Sequence, residues 1–180
     1  MVIERLVILS DDMSNERTIG DKIRRALGKV RRNHGLEHAT VTLMLAREGP
    51  MRVIGRAGTD GFYVYAKVPT EKLRAYADEA LTRLQGGEER LAVTPMCGTN
   101  IAVAGALAGV ASFAAINTGK NAADGLFRAI AASTLAVVAA QPVGRLVQKY
   151  YTTSPDLAGF RIVSVDAISG SLHKVRTVSD

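Results

Sequence analysis

Two uncharged apolar stretches dominate the sequence: residues 101–116 read IAVAGALAGVASFAAI, and residues 129–144 read AIAASTLAVVAAQPVG. No charged residue lies between Arg90 and Lys120, and none lies between Arg128 and Arg145. A helix that crosses a bilayer needs about 20 predominantly apolar residues. We therefore expect a two-helix hairpin over residues 101–148 that anchors the protein in a membrane.

The composition of this hairpin makes insertion of either helix alone marginal. Strong apolar side chains contribute only about −0.3 to −0.6 kcal/mol each, and Ala and Gly contribute little. Small residues favour insertion as a pair, because they let two helix backbones approach closely in lipid. The residues in this pattern are Gly105 and Gly109, which form a GxxxG, with Ala104, Ala108 and Ser112. A buried hairpin inside a soluble α-rich core is the alternative.

Basic residues flank the hairpin on one side only. Arg83, Arg90, Arg145 and Lys149 lie just outside its two ends, whereas the link from Asn117 to Asp124 holds few cations. The positive-inside rule then places the bulk of the chain in the cytoplasm, as a multi-pass protein of the inner membrane. The expected partners are membrane lipid and other membrane proteins or a second copy of the chain.

Charge and composition narrow the other classes of partner. The chain has 180 residues, a net charge of +6 and no Trp, and no basic run alternates with aromatic residues, so nucleic acid is not expected as a partner. One basic cluster at helical spacing is either a solvated helix face or a face that rests on anionic headgroups. It consists of Lys22, Arg24, Arg25, Lys29, Arg31 and Arg32. The single cysteine excludes an intrachain disulfide, and no signal-peptide pattern is present.

Outside the hairpin the pattern predicts an α+β fold: a small cytoplasmic helix/strand domain, residues 1–100, joined to the two-helix transmembrane hairpin. Residues 149–180 are predicted as a C-terminal strand pair that packs on this domain. Apolar spacings of three and four predict helices near residues 15–31, 33–47 and 70–86, the first two joined by a kink at Asn33. Val2 to Leu9 is a strand or a short helix. Turn residues flanked by β-branched and aromatic residues predict β-hairpins over 51–68 and 160–178.

Residues 34–38 read HGLEH and carry the strongest chemical signal in the chain. His34 and His38 lie one turn apart on the same face of a helix, so both rings can bind one metal ion. Glu37 lies beside them and can act as a general base. The structural alternative is two ordinary hydrogen-bonding histidines, with Glu37 paired to an arginine.

A third ligand is needed for a catalytic metal, and the sequence offers three. Cys97 would place a thiolate beside two imidazoles, which is a good set for zinc. Glu79 on a predicted helix and His173 near the C-terminus are the other candidates. The loop from Pro95 to Asn100 is expected to lie over the histidine pair, with Asn100 capping the first hairpin helix.

Two resemblances follow from these motifs. The order H-x-x-E-H resembles that of the inverzincin metallopeptidases, which implies zinc as cofactor, hydrolysis as activity and a downstream glutamate such as Glu79 as third ligand. Several longer segments together resemble a family of small bacterial proteins of unassigned function with predicted membrane segments, which implies membrane association and no particular activity. These segments are residues 33–40 (NHGLEHAT), 61–65 (GFYVY), 68–71 (VPTE), 80–88 (ALTRLQGGE), 97–100 (CGTN) and 153–156 (TSPD).

Two functions from different classes are therefore open. The first is a membrane-tethered, zinc-dependent hydrolase or peptidase-like protein, with His34 and His38 as ligands, Glu37 as base, and Cys97 or Glu79 completing the site. The second is a non-catalytic accessory or assembly subunit that packs against partner helices.

Overall fold

The computed structural model describes the backbone of residues 2–179 and the side chains of residues 18–179. The helices of this part are α1 (Val2–Glu48), α2 (Thr70–Gln85), α3 (Gly98–Ile116) and α4 (Ala122–Val147), with a 3₁₀ segment at Glu89–Ala92 and a π-helical segment at Gln148–Thr152. Its strands are β1 (Ile54–Gly58), β2 (Gly61–Tyr65), β3 (Phe160–Ser169) and β4 (Leu172–Ser179). The predicted α+β class is thus confirmed.

The first helix is longer than predicted. It runs without interruption through Asn33, where a kink was expected, and includes Val2 to Leu9, where a strand or a short helix was expected. Asn33 does not break the helix, because its fully buried side chain has tertiary partners. It donates to Gly58 O at 2.8 Å and accepts from Thr177 Oγ1 at 2.7 Å, so it does not compete for the hydrogen bonds of its own helix.

The strands form one antiparallel sheet in the order β1-β2-β4-β3. Both predicted β-hairpins form, and β2 joins them by pairing with β4, so that Phe62 lies opposite Val175. The hydrophobic core beneath the sheet is shared by α1, α2 and the strands. Its fully buried large side chains include Leu36, Met44, Phe62, Val64, Leu73, Leu157 and Val175. Burial of each side chain contributes roughly 1.5–3 kcal/mol to folding. Leu36 and Met44 belong to α1, so the face that carries them is the one that packs toward the sheet.

The two apolar helices pair with each other and expose most of their apolar surface. Both are long and apolar enough to cross a membrane, and little of either is buried by the rest of the chain. Ile101 and Phe113 in α3 are each 75% exposed, and Leu135 in α4 is 70% exposed. Among the residues whose side chains the structure describes, the rest of the chain does not bury these helices as the core of a soluble domain would.

The contact between α3 and α4 uses small residues, but not all the predicted ones. In α4 the buried residues are Gly125, Ala129, Ala140 and Gly144. A Cβ added at Gly125 would overlap the carbonyl oxygen of Ile116, so the two backbones touch there. Ala104, Ala108 and Ser112 of α3 are half-buried.

The predicted GxxxG motif lies outside this contact. Gly105 and Gly109 are exposed, with open space where a Cβ would lie. The expectation that they form the contact was wrong. The N-terminal end of α3 determines which face of the helix turns toward α4. Asn100 is buried there against α4, and residues at spacings of four from it, Ala104 and Ala108, share its face.

Substituting Gly125 with Ala should destabilise the hairpin by about 1–3 kcal/mol, since the added methyl group meets backbone that cannot move away. Gly109→Ala is the matched control, also a helical glycine, and should be neutral or stabilising by up to about 1 kcal/mol. Thermal denaturation of the purified variants, followed by circular dichroism, measures both. Equal destabilisation by the two changes would contradict this packing.

Candidate metal centre

The two histidines of the HGLEH segment are held by backbone carbonyls. His34 Nδ1 lies 2.9 Å from Thr152 O, and His38 Nδ1 lies 2.8 Å from Ala92 O. A carbonyl oxygen only accepts hydrogen bonds, so both Nδ1 atoms carry a proton, and Nε2 is the ring nitrogen left for a metal ion. The ring centroids are 4.3 Å apart. Both rings are therefore oriented so that a metal ion would bind through Nε2.

Cys97 completes this cluster. It is the N-cap of α3, where its sulfur accepts a hydrogen bond from Thr99 N, and its Sγ lies 3.4 Å from His34 Nε2. The ligand atoms of His34, His38 and Cys97 all lie within 4.8 Å of one another, so these residues could hold a metal ion. Asn100 was expected to cap α3, but the cap is Cys97, and Asn100 is buried one turn further along.

The charges within the cluster support one another. Burial by itself raises the pKa of the Cys97 thiol, but hydrogen bonds from His34, His38 and Thr99 outweigh it and lower the pKa from 9.0 to about 5. Burial also lowers the pKa of His34, but its hydrogen bonds to Cys97 and Thr152 O outweigh that effect and raise it. At neutral pH the sulfur is thus a thiolate, the form that binds metal.

Glu37 lies beside the cluster and outside the group of three. Its side chain is buried against the backbone of Gly55, where a Cβ would collide with the carboxylate. Burial raises the pKa of Glu37, while the nearby His38 and His34 lower it by less. Within residues 18–179, Glu37 forms no ion pair with an arginine, contrary to the alternative considered above. It is thus a proton acceptor without a fixed partner.

The cluster opens into a cavity of about 420 Å³. Its walls are mostly apolar, and Glu37, His34, His38 and Cys97 all reach it. Three protein ligands with one side open to a cavity are typical of catalytic metal sites, whereas structural zinc sites use four.

The other two candidate ligands lie elsewhere. Glu79 is on α2 and pairs with Arg47 at 2.7 Å and Arg83 at 3.6 Å. The apolar stripe of α2 faces the core, which turns Glu79 toward these arginines. His173 is buried in β4, where its Nδ1 lies 3.4 Å from Thr70 Oγ1. The structure does not bring either residue to the histidine pair.

A buried polar network positions the loop that carries Cys97. Gln148, fully buried at the end of α4, donates to Asn100 Oδ1 at 2.7 Å and accepts from Thr94 N at 3.1 Å. Asn100 in turn donates to the carbonyls of Thr94 and Pro95. This network ties the loop to α4. Gln148 was missed from the sequence, although a glutamine directly after a long apolar helix is a usable signal.

The π-helical segment after α4 brings the next chain segment onto α1. Thr152 O reaches His34 from this segment, and Ser154 N donates to Arg31 O at 2.9 Å. Gly35 is needed at the crossing, because a Cβ there would overlap the carbonyl oxygen of Ser154. The glycine within HGLEH thus has a packing role that its position beside two histidines does not reveal.

Comparison with known proteins places the chain in a family. Residues 29–165 match the model of the domain of unknown function DUF6391. The chain belongs to this family. An uncharacterised protein of Picosynechococcus sp. is 34% identical over 135 residues, which cover 69% of this chain and 66% of the relative. The alignment therefore spans slightly less than two thirds of the relative's length. No solved structure matches the chain.

The match to DUF6391 covers the candidate metal centre and the hairpin but not the last strand. Residues 29–165 include His34, Glu37, His38 and Cys97 and both apolar helices, whereas β4 lies beyond them. The predicted resemblance to an uncharacterised family is confirmed. The name of the family assigns no activity, so the function has to be argued from the site.

Alkylation of Cys97 by iodoacetamide, in protein stripped of metal with a chelator, should show a midpoint near pH 5, because the thiolate persists down to that pH. Since Cys97 is the single cysteine, the reaction reports on it alone. His34→Gln should raise the midpoint by removing a hydrogen bond to the sulfur, and Glu79→Gln is the control that leaves it unchanged. A wild-type midpoint close to 9.0, the ordinary value for a thiol, would refute the cluster.

Proposed function

We propose that this protein is a membrane-anchored, zinc-dependent hydrolase. The observation that carries the proposal is the pair of Nδ1 hydrogen bonds, from His34 to Thr152 O and from His38 to Ala92 O. Ordinary surface histidines have no need of two such carbonyls. Histidines that bind metal almost always donate their second ring nitrogen in this way, which orients the ring and raises its basicity.

The donor set favours zinc. Two imidazole nitrogens and one thiolate are typical ligands of zinc in tetrahedral sites. Harder cations such as Mg²⁺ and Ca²⁺ prefer oxygen ligands, which His34, His38 and Cys97 do not supply. The open side of the cluster faces the cavity, where a substrate group can enter.

In this proposal zinc supplies Lewis acidity, and the chain supplies the proton acceptor. Glu37 borders the cavity, and burial raises the pKa of its carboxyl. A carboxylate with a raised pKa takes a proton from an attacking water and later gives it to the leaving group more readily than an ordinary one. The apolar walls, which include Val41, Leu45 and Met96, would exclude bulk water when a substrate is bound.

The membrane placement rests on α3 and α4. Both helices expose apolar side chains over lengths that suit a bilayer. Cys97 directly precedes α3, so the cluster would lie close to the membrane surface. In this arrangement residues 101–148 form the anchor, and residues 1–100 and 149–180 lie together in the cytoplasm, on the side where Arg145 and Lys149 flank the hairpin.

One observation favours the second function, a non-catalytic subunit that binds partner helices. Gly105 and Gly109 lie on the exposed face of α3 and leave open space there. Such a face allows another helix to approach closely in lipid. Glu37 distinguishes the two functions, because a hydrolase needs it as general base and a structural zinc site does not.

Zinc analysis by mass spectrometry should find about one zinc per chain in protein purified without chelators, as the three ligands predict. Cys97→Ser and His38→Gln should lose it, whereas Glu37→Gln should keep it. Turnover of a quenched fluorogenic peptide library should fall about 10²- to 10⁴-fold in Glu37→Gln, because the general base is lost.

Glu79→Gln is the matched control, and it should retain both zinc and turnover. Wild-type protein without zinc would overturn the metal site. Zinc retained by a wild-type protein whose turnover equals that of Glu37→Gln would make the site structural and favour the accessory function.

Membrane fractionation tests the anchor separately. The wild-type protein should sediment with membranes, resist extraction by alkaline carbonate and enter solution only with detergent. Leu135→Arg places a charge on the exposed face of α4 and should reduce the membrane fraction, since an arginine at the centre of a span costs about 2.5–3.5 kcal/mol. Val163→Arg, at an exposed position of β3, should not reduce it. Recovery of wild-type protein in the soluble fraction without detergent would contradict the proposed membrane anchor.

A further inference from the structure

A second cavity, of about 430 Å³, lies at the base of the hairpin between the 3₁₀ segment and the end of α4. Three cations line it: Arg90 from the 3₁₀ segment, Arg145 from the last turn of α4, and Lys149 from the π-helical segment. Glu89 is the single acid in its lining. None of the three cations forms an ion pair with any residue between 18 and 179. Lys149 Nζ lies 5.5 Å from the centroid of the Tyr150 ring, and Arg90 acts electrostatically on Glu88. With three cations and one acid in its lining, the cavity has a net positive charge.

The rest of the lining is apolar, with Ala92, Val93, Leu146 and Pro155 among it. A fully water-soluble polyanion gains little from such walls. A phospholipid has both parts of the required chemistry, because its phosphate can meet the cations while its glycerol and first methylenes meet the apolar residues. Arg145 and Lys149 also lie where α4 leaves the apolar stretch, which is the depth of a headgroup if the hairpin spans the bilayer.

We propose that this cavity binds the phosphate group of an anionic phospholipid. The inference rests on the membrane placement proposed above, but not on the hydrolase activity. It gives the flanking basic residues a defined ligand in addition to their general effect on orientation in the membrane.

The cavity also borders the supports of the metal cluster. Ala92, whose carbonyl holds His38, lies in one wall. Tyr150 and Thr153 lie in the opposite wall, on either side of Thr152, whose carbonyl holds His34. A headgroup that bridges Arg90 and Lys149 would hold these two walls together. Bound lipid should therefore slow the loss of metal from the cluster.

Binding of short-chain phosphatidylglycerol to the detergent-solubilised full chain, followed by native mass spectrometry, tests the proposal. The double variant Arg145→Gln with Lys149→Gln should bind at least tenfold more weakly than wild type, and Arg90→Gln, on the opposite wall, should also weaken binding. In wild type the lipid should slow zinc removal by a chelator several-fold, and it should have no such effect in the double variant.

Arg56→Gln with Lys67→Gln is the matched control, because it removes two exposed charges far from the cavity in sequence and should bind as wild type does. An equal loss in this control, equal binding of phosphatidylcholine, or displacement by inorganic phosphate at the same concentration would each overturn the proposal. Zinc content and sedimentation with membranes are measured on the same variants. If wild type binds no phosphatidylglycerol but keeps its zinc and sediments with membranes, the lipid site is overturned and the proposed function is not.

Discussion

The buried hydrogen bond from Gln148 Nε2 to Asn100 Oδ1, at 2.7 Å, is the interaction on which the rest of the site depends. Each of these side chains also hydrogen-bonds to the Thr94–Pro95 backbone. A buried amide without a partner costs about 1–3 kcal/mol, so the network is strongly favoured once formed. It joins the bases of α3 and α4, sets their relative rotation, and brings Cys97 to the histidines.

The cluster combines groups that would be unfavourable if buried singly. Burial opposes both a thiolate at Cys97 and a protonated His34, yet each charge is stabilised by the other at 3.4 Å. A divalent metal would replace the proton between the sulfur and the nitrogen, and binding would release that proton. The carbonyls of Ala92 and Thr152 orient the histidines in both the metal-free and the metal-bound cluster. They bind Nδ1 of each ring and leave Nε2 free to exchange a proton for a metal ion.

The parts of this fold that could be predicted are those with a local signature. The apolar stretches, both β-hairpins and the HGLEH face follow from periodicity and composition within short windows. Long-range packing decided the rest. Nothing local distinguishes Cys97 from Glu79 as a partner of the histidines, since α2 turns Glu79 toward Arg47 only in the folded chain. The rotation that turns Ala104 toward α4 and exposes Gly105 depends on Asn100. Backbone carbonyls such as Thr152 O have no sequence signature at all.

The cluster is assembled from segments far apart in the chain, and this changes the meaning of the hairpin. His34 and His38 come from α1, Cys97 from the start of α3, and the supporting carbonyl of Thr152 from the end of α4. The cluster therefore cannot form until both ends of the hairpin have docked on α1. Gly35 permits that docking by letting Ser154 cross the helix closely. A plain anchor would need neither contact. The hairpin is thus a structural element of the candidate site, and lipid contacts at its base would act on the same carbonyls that orient the histidines.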